Sequence, residues 1–189
     1  MTKFATDIAR YKAKGNRGRD LWLDPGVWTI AVYRLRNWVY VTNPPWLVSA
    51  PVKIICYLAN KIFEIFMSNL ISASAPIGEG LYLGHVGGVI ISQYAMIGKN
   101  CDISPRVTIG VSAMGREGAP QIGDDVYLGT GATLVGKIRI GNGAKVAANT
   151  LVIDDVPDGA TVMGVPGRVF IASPTAVSPS STAAARAER

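Results

Sequence analysis

Between residues 71 and 152 an aliphatic side chain returns at every sixth position in three runs. These are Ile71, Ile77 and Leu83, then Ile91, Ile97, Ile103 and Ile109, then Ile122, Leu128, Leu134, Ile140, Val146 and Val152. A small or branched residue often stands four places later, as at Ala75, Ala95, Cys101, Val107, Val126, Ala132, Ala144 and Thr150. Glycine often follows the aliphatic directly, as at Gly78, Gly98, Gly123, Gly129 and Gly141, where it would ease the corner turns. A period of six matches neither the 3.6 of a helix nor the 2 of an isolated strand. It fits a parallel β-helix of triangular section, in which each hexad makes one short strand and one corner and three hexads close a coil. The runs predict about four coils. No coil buries its inner face alone, so the stack must fold as one unit.

Two breaks in the period are where function is expected. From Leu83 to Ile91 the step is eight residues, reading Gly84-His85-Val86-Gly87-Gly88. From Ile109 to Ile122 it is thirteen, one more than two hexads, and residues 110–121, GVSAMGREGAPQ, lack the coil pattern. This segment is expected to leave the prism as a loop, and loops on rigid scaffolds commonly carry binding residues. Beyond Val152, residues 153–171 are expected to end the prism and cover its open edge. Residues 172–189, rich in Ser, Thr, Ala and Pro, have little to bury and are expected to be disordered.

The N-terminal third differs in kind. The chain has a net charge of +6, and residues 1–70 hold all of it, with ten Lys or Arg against four Asp or Glu. Residues 71–189 are balanced, nine against nine, which argues against a nucleic-acid-binding body. A basic, apolar N-terminal region suits an anionic membrane surface better. Its first twenty residues read as a short helix ending near Gly15 and a loose basic loop. Asp24-Pro25-Gly26 is a helix start, residues 27–42 a helix, and Asn43-Pro44-Pro45 a stop. Residues 46–70 read as a second helix with a possible bend at Pro51. Its polar positions, Lys53, Asn60, Lys61, Glu64 and Ser68, fall on one stripe, and the remaining broad apolar face must pack on something. Packing on the β-helix is the favoured expectation over membrane contact. Lys53, Lys61 and Glu64 interrupt the run, so a membrane span is not expected. No secretory leader is apparent, and the expected location is cytoplasmic, with peripheral attachment to the inner membrane face as an extension.

The hexads, His85 in its glycine setting, the loop at 110–121 and the run Val156-Pro157…Gly164-Val165-Pro166-Gly167-Arg168-Val169 together resemble the hexapeptide-repeat acyltransferases. The likeness extends over about residues 71–171 and is greatest to serine O-acetyltransferases and related enzymes of surface-polysaccharide synthesis. It implies a left-handed parallel β-helix, preceded here by a short helical region. It also implies a homotrimer or a dimer of trimers, with acetyl-CoA bound between neighbouring prisms, and it makes His85 the catalytic histidine. Two features of serine acetyltransferases are replaced: their aspartate before this histidine is Gly84, and their late loop histidine is Ala119, before Pro120. The acceptor expected is therefore a hydroxyl of a small or lipid-linked sugar in surface-polysaccharide synthesis, with serine as the alternative. A non-catalytic β-helix scaffold is the alternative of another class.

Acyl transfer from a thioester to an alcohol needs a base for the alcohol proton. His85 is the only histidine and the candidate, since an imidazole changes charge near neutral pH. Cys101 falls at an inward position and Cys56 on a helix, so transfer without an acyl-enzyme is expected. From the resemblance, pantetheine contacts fall near Gly129, Thr130, Gly131, Ala147 and Ala148, and Lys145 and Arg168 meet the phosphates. Arg116 and Glu117, at the loop tip, are candidates for touching the acceptor. Asp124-Asp125 and Asp154-Asp155 read as corner turns, and no metal is expected. A metal-dependent hydrase is excluded, because its site needs three histidines.

Overall fold

The computed structural model describes residues 2–85, 87–112 and 117–171; the expected disordered tail at 172–189 lies outside them. Four helices come first: α1 (Lys3–Ala13), α2 (Arg19–Leu23), α3 (Pro25–Thr42) and α4 (Trp46–Met67). Fourteen short strands follow: β1 (Leu70–Ile71), β2 (Tyr82–Leu83), β3 (Ile90–Ile91), β4 (Met96–Ile97), β5 (Asp102–Ile103), β6 (Thr108–Gly110), β7 (Gln121–Ile122), β8 (Tyr127–Leu128), β9 (Thr133–Val135), β10 (Arg139–Ile140), β11 (Lys145–Val146), β12 (Leu151–Val152), β13 (Thr161–Met163) and β14 (Arg168–Phe170).

The strands stack into three faces of a prism. The first runs β1-β3-β6-β9-β12, the second β4-β7-β10 and the third β2-β5-β8-β11-β13, parallel throughout, with β14 added antiparallel at the end. The register puts hexad on hexad: Ile91 pairs with Ile109, Ile97 with Ile122 and Ile103 with Leu128. All thirteen hexad aliphatics are buried, and so are the eight residues four places after them. Bridges at Ile77–Ile97 and Ile140–Val156 complete the second face. Each face thus has five rungs, one more than the repeat count predicts. The extra coil comes from the segment after Val152, where Val156 and Val162 hold inward positions after a four-residue step that breaks the hexad spacing. Only β14 acts as the expected edge cover.

The thirteen-residue step is also resolved differently. Ile122 sits directly on Ile97, so residues 110–121 replace a single corner rather than a hexad and a corner. The glycines after the aliphatics serve close approach more than turn geometry. A Cβ at Gly98 would lie 2.5 Å from the Gly123 carbonyl oxygen, far inside contact distance. Beside them runs a side-chain ladder. Lys99 N donates to Asp124 Oδ1, Asp124 N to Asn142 Oδ1 and Asn142 N to Asp158 Oδ1. Asp124 is thus a corner residue, and Asp155 likewise accepts from Arg139 N.

The first coil has no coil beneath it, and its exposed backbone groups need partners. Helices α1 and α3 supply them. Asp7 accepts from Leu81 N and is paired with Arg34, which also donates to the carbonyls of Ile77 and Gly78. Tyr33 donates to Ala75 O, Asn37 to Ala73 O and Arg36 to Ile71 O. The helix α3 starts where Asp24 caps it, its Oδ1 accepting from Gly26 N, with Pro25 in the first turn. Arg19 and Asp20, expected in a loop, instead open the short helix α2. Much of the basic charge is used internally: Arg10 and Lys14 pair with Asp102, and Lys3 donates to Ile77 O.

The helix α4 departs from expectation most. It ends at Met67, with Ser68 in the left-handed region, three residues early. Instead of packing its broad apolar face on the β-helix, it lays one narrow face on α3. Of its residues only Ser49 and Cys56 are buried, while Leu47, Ile54, Leu58, Ile62 and Ile65 are exposed.

Candidate active site

His85 follows β2 at the corner between the third and first faces. The stacking of that corner shows what the insertion does. Gly84 N donates to Ile103 O and Ser104 N to Leu128 O, so Gly84 and Ser104 stack. Arg106 N donates to Gly87 O and Gly131 N to Pro105 O, so Gly87 stacks on Pro105. His85, which follows Gly84, is therefore displaced from the prism wall. His85 is exposed and holds φ +57, a left-handed conformation that costs a non-glycine residue about 1–2 kcal/mol. A cleft of about 410 Å³ opens beside it, lined by Asn16, Asp20, Leu23, Asp24, Pro25 and Tyr82 among others.

The helical cap fixes this corner. Tyr11, fully buried, donates its hydroxyl to Leu83 O at 3.0 Å and accepts from Leu83 N at 3.1 Å. Burial pushes its hydroxyl well above the ordinary tyrosine range, so it keeps the proton that this pairing needs. Its ring packs on Tyr82, 4.7 Å between centroids. The strand β2, which leads to His85, is thus tied to α1 on both backbone groups of its last residue, Leu83.

Sequence reasoning missed two charged neighbours of this corner. Asp20, in the first turn of α2, lines the cleft. Among the described residues its carboxylate has no hydrogen-bond or ion-pair partner, whereas both oxygens of Asp24 are taken by Gly26 N and Asn16 Nδ2. Arg106, one coil on, is exposed and lies against the glycines after His85; a Cβ at Gly88 would sit 3.2 Å from its Cγ. Only the helix α2 brings Asp20 here, and α2 has no signal in the sequence.

The residues expected to contact pantetheine share the His85 edge. Gly129 N donates to Val146 O and Ala147 N to Val162 O, extending the column of Gly84 and Ser104. Asn149 N donates to Thr130 O, extending that of Gly87 and Pro105. At about 4.8 Å per coil, Thr130 lies roughly 10 Å from Gly87 along the edge, and Ala148 roughly 14 Å. Packing alone explains both glycines: a Cβ at Gly129 would be 2.7 Å from Ala148 N, and Gly131 holds φ +72. Lys145 on β11 and Arg168 on β14 are exposed on the adjoining third face.

The loop is elsewhere. It leaves after β6 and re-enters before β7, at the corner between the first and second faces. Glu117 is exposed there, and Arg116 lies outside the described residues. Ala119 packs partly buried against the core. One chain does not bring the loop corner and the His85 corner together. Both cysteines are buried. Burial pushes the Cys101 thiol up to about 11, and its Sγ faces Gly123 O at 3.2 Å, so it is no nucleophile at neutral pH. Among the described residues no three His, Cys, Asp or Glu group as metal ligands would.

The family described as bacterial transferase hexapeptide (six repeats) matches residues 119–154. A serine acetyltransferase of Synechococcus elongatus is 30% identical over 158 residues, and one of Mycobacterium tuberculosis 34% over 147. These matches take in 82% and 77% of this chain but only 61% of either relative, so the chain spans about three fifths of their length. Among solved structures, Neisseria gonorrhoeae serine acetyltransferase in complex with serine superposes with a TM-score of 0.73 and 30% identity, covering 89% of this chain and 68% of that one. A serine acetyltransferase in complex with CoA superposes at 0.71 with 26% identity, covering 89% and 68%. The prism is accordingly the left-handed parallel β-helix that the resemblance implied.

Proposed function

The chain belongs to the hexapeptide-repeat acyltransferases and is serine acetyltransferase-like, and on that premise we propose that it transfers an acetyl group from acetyl-CoA to a hydroxyl, with serine as acceptor. The observation that supports the reading is a shared edge: the exposed, out-of-register His85 stands at the head of two stacked columns, one holding Gly129 and Ala147 and the other Thr130. The named relatives shift the acceptor from the sugar expected above to serine.

In this mechanism the His85 imidazole takes the hydroxyl proton as the serine oxygen attacks the thioester carbonyl. The carbon–sulfur bond then breaks and the proton passes to the departing thiolate. No acyl-enzyme forms, which agrees with two buried cysteines. Asp20 offers a carboxylate to an ammonium group and Arg106 a guanidinium to a carboxylate, the two charges an amino acid presents. Gly84 leaves His85 without an adjacent carboxylate in sequence, so Asp20, which lines the same cleft, is also a candidate to steady the ring. The extended pantetheine arm would lie along the edge, with Lys145 and Arg168 toward its phosphates.

The assembly proposed is a homotrimer, because the loop with Glu117 occupies another corner and only a second prism can supply it to the His85 edge. The location proposed is cytoplasmic. A second reading keeps a sugar hydroxyl as acceptor, favoured by Gly84 and Ala119 standing where serine acetyltransferases carry charged or titratable groups. A panel of free serine and nucleotide- or lipid-linked sugars, assayed for thiol release from acetyl-CoA, tests both. Turnover with serine and not with sugars supports the main reading; the reverse supports the second.

A further inference from the structure

We propose that α4 is an in-plane membrane anchor: its outward face enters the interface of an anionic phospholipid bilayer, and the helix does not cross it. At 100° per residue, Ser49, Cys56, Phe63 and Asn60 point to α3, and the buried pair Ser49 and Cys56 marks the packed side. On the opposite side Leu47, Ile54, Leu58, Ile62 and Ile65 make a continuous apolar face, and each is more than half exposed. The polar stripe of Lys53, Lys61 and Glu64 lies to one side of it. A water-facing helix carries the reverse arrangement.

Length and hydropathy would let α4 span a bilayer, but the fold forbids it. The chain before α4 and the chain after it are bonded together. Asp7 holds Leu81, Tyr11 holds Leu83, Tyr33 holds Ala75 and Arg34 holds Ile77. A spanning α4 would put these partners on opposite sides of the membrane. While the cap is formed, α4 can only lie along the surface.

Three features choose a bilayer over a second copy of the chain. Of the ten basic side chains in residues 1–70, Arg10, Lys14, Arg34 and Lys61 are paired with carboxylates, but Lys12, Arg17, Arg19 and Lys53, the last on α4 itself, are exposed, and each cation near an anionic leaflet adds about 1 kcal/mol of attraction. The α3–α4 hairpin tip exposes Trp38, Tyr40 and Trp46, amphipathic rings of the kind that settle at the headgroup level. Third, a strip of 22 residues is about 33 Å long and 10 Å wide, roughly 330 Å², whereas a stable dimer buries about 800 Å² per partner.

The test is flotation of the full chain with vesicles of phosphatidylcholine alone or mixed with phosphatidylglycerol. The wild type is expected to float with the anionic vesicles, and Ile54→Glu/Ile65→Glu to lose about tenfold per site in partitioning. Both positions are exposed, so circular dichroism and acetyl transfer to the soluble acceptor should match the wild type. This separates failure of the anchor from failure of the proposed reaction. Lack of binding by the wild type, or equal binding by the variant, overturns the proposal. So does light scattering in which the wild type forms a larger particle that the variant does not, since α4 would then join copies of the chain.

Discussion

The β-helix and the helix α4 are both apolar, and they bury their apolar residues to opposite degrees. Every hexad aliphatic from Ile71 to Val152 is buried, while Trp46, Leu47, Ile54, Ile55, Leu58, Ile65 and Phe66 are exposed. The hexads succeed because each strand supplies the next rung with matching inner residues and satisfied backbone in register. A helix satisfies its own backbone and needs a partner only for its face, and α3 covers just one side of α4. Apolar content therefore says that a segment will be covered; only a period shared with a neighbour says by what.

The difference can be broken at several points. The buried ion pair that joins the regions should matter most. Asp7→Ala leaves Arg34 buried without its partner and should lower stability by about 3–5 kcal/mol in urea denaturation. Inside the prism, Leu134→Ala should cost about 2–5 kcal/mol, because its fixed neighbours in adjacent rungs cannot close the cavity. Gly98→Ala should cost about 1–3 kcal/mol, through the contact with the Gly123 carbonyl. On α4, by contrast, Leu58→Ser should change stability by less than about 0.5 kcal/mol. A loss at Leu58 as large as at Leu134 would mean that the helix face is covered within the folded protein. Smallest of all, the buried thiols of Cys56 and Cys101 should resist iodoacetamide at pH 8 until the chain unfolds, as mass spectrometry would show.

The prism was legible because its repeat is long and strict: thirteen residues, spaced by six, became thirteen core positions. The fifth coil was not, since Val156 and Val162 follow Val152 at steps of four and six, and the four-residue step hides the corner. The loop at 110–121 was seen as a loop, but its length concealed that it spans one corner. Gly98 and Gly123 were visible as glycines, while the coil-to-coil contact that requires them is not a local property. His85 stood out by its insertion. Asp20 did not, because nothing near it in sequence says that α2 will lie beside a corner sixty-odd residues away. The fate of α4 was misread because the wheel shows how wide an apolar face is and not which part of the fold will meet it.

Replacing Gly84 by Asp sharpens the question of acceptor. A Cβ there would meet only the Tyr82 ring, at 3.1 Å, so the variant should fold. If serine is the acceptor, the restored carboxylate should raise kcat/KM for serine, measured by thiol release.

The central claim is that His85 takes the acceptor proton at an edge built by the β-helix, and thiol release by His85→Ala tests it most directly. Loss of a general base costs about 10²–10⁴-fold in kcat. The account predicts a drop of that size with serine as acceptor, in a protein that keeps wild-type stability and still binds acetyl-CoA by calorimetry. Near-normal turnover in a folded variant would contradict it.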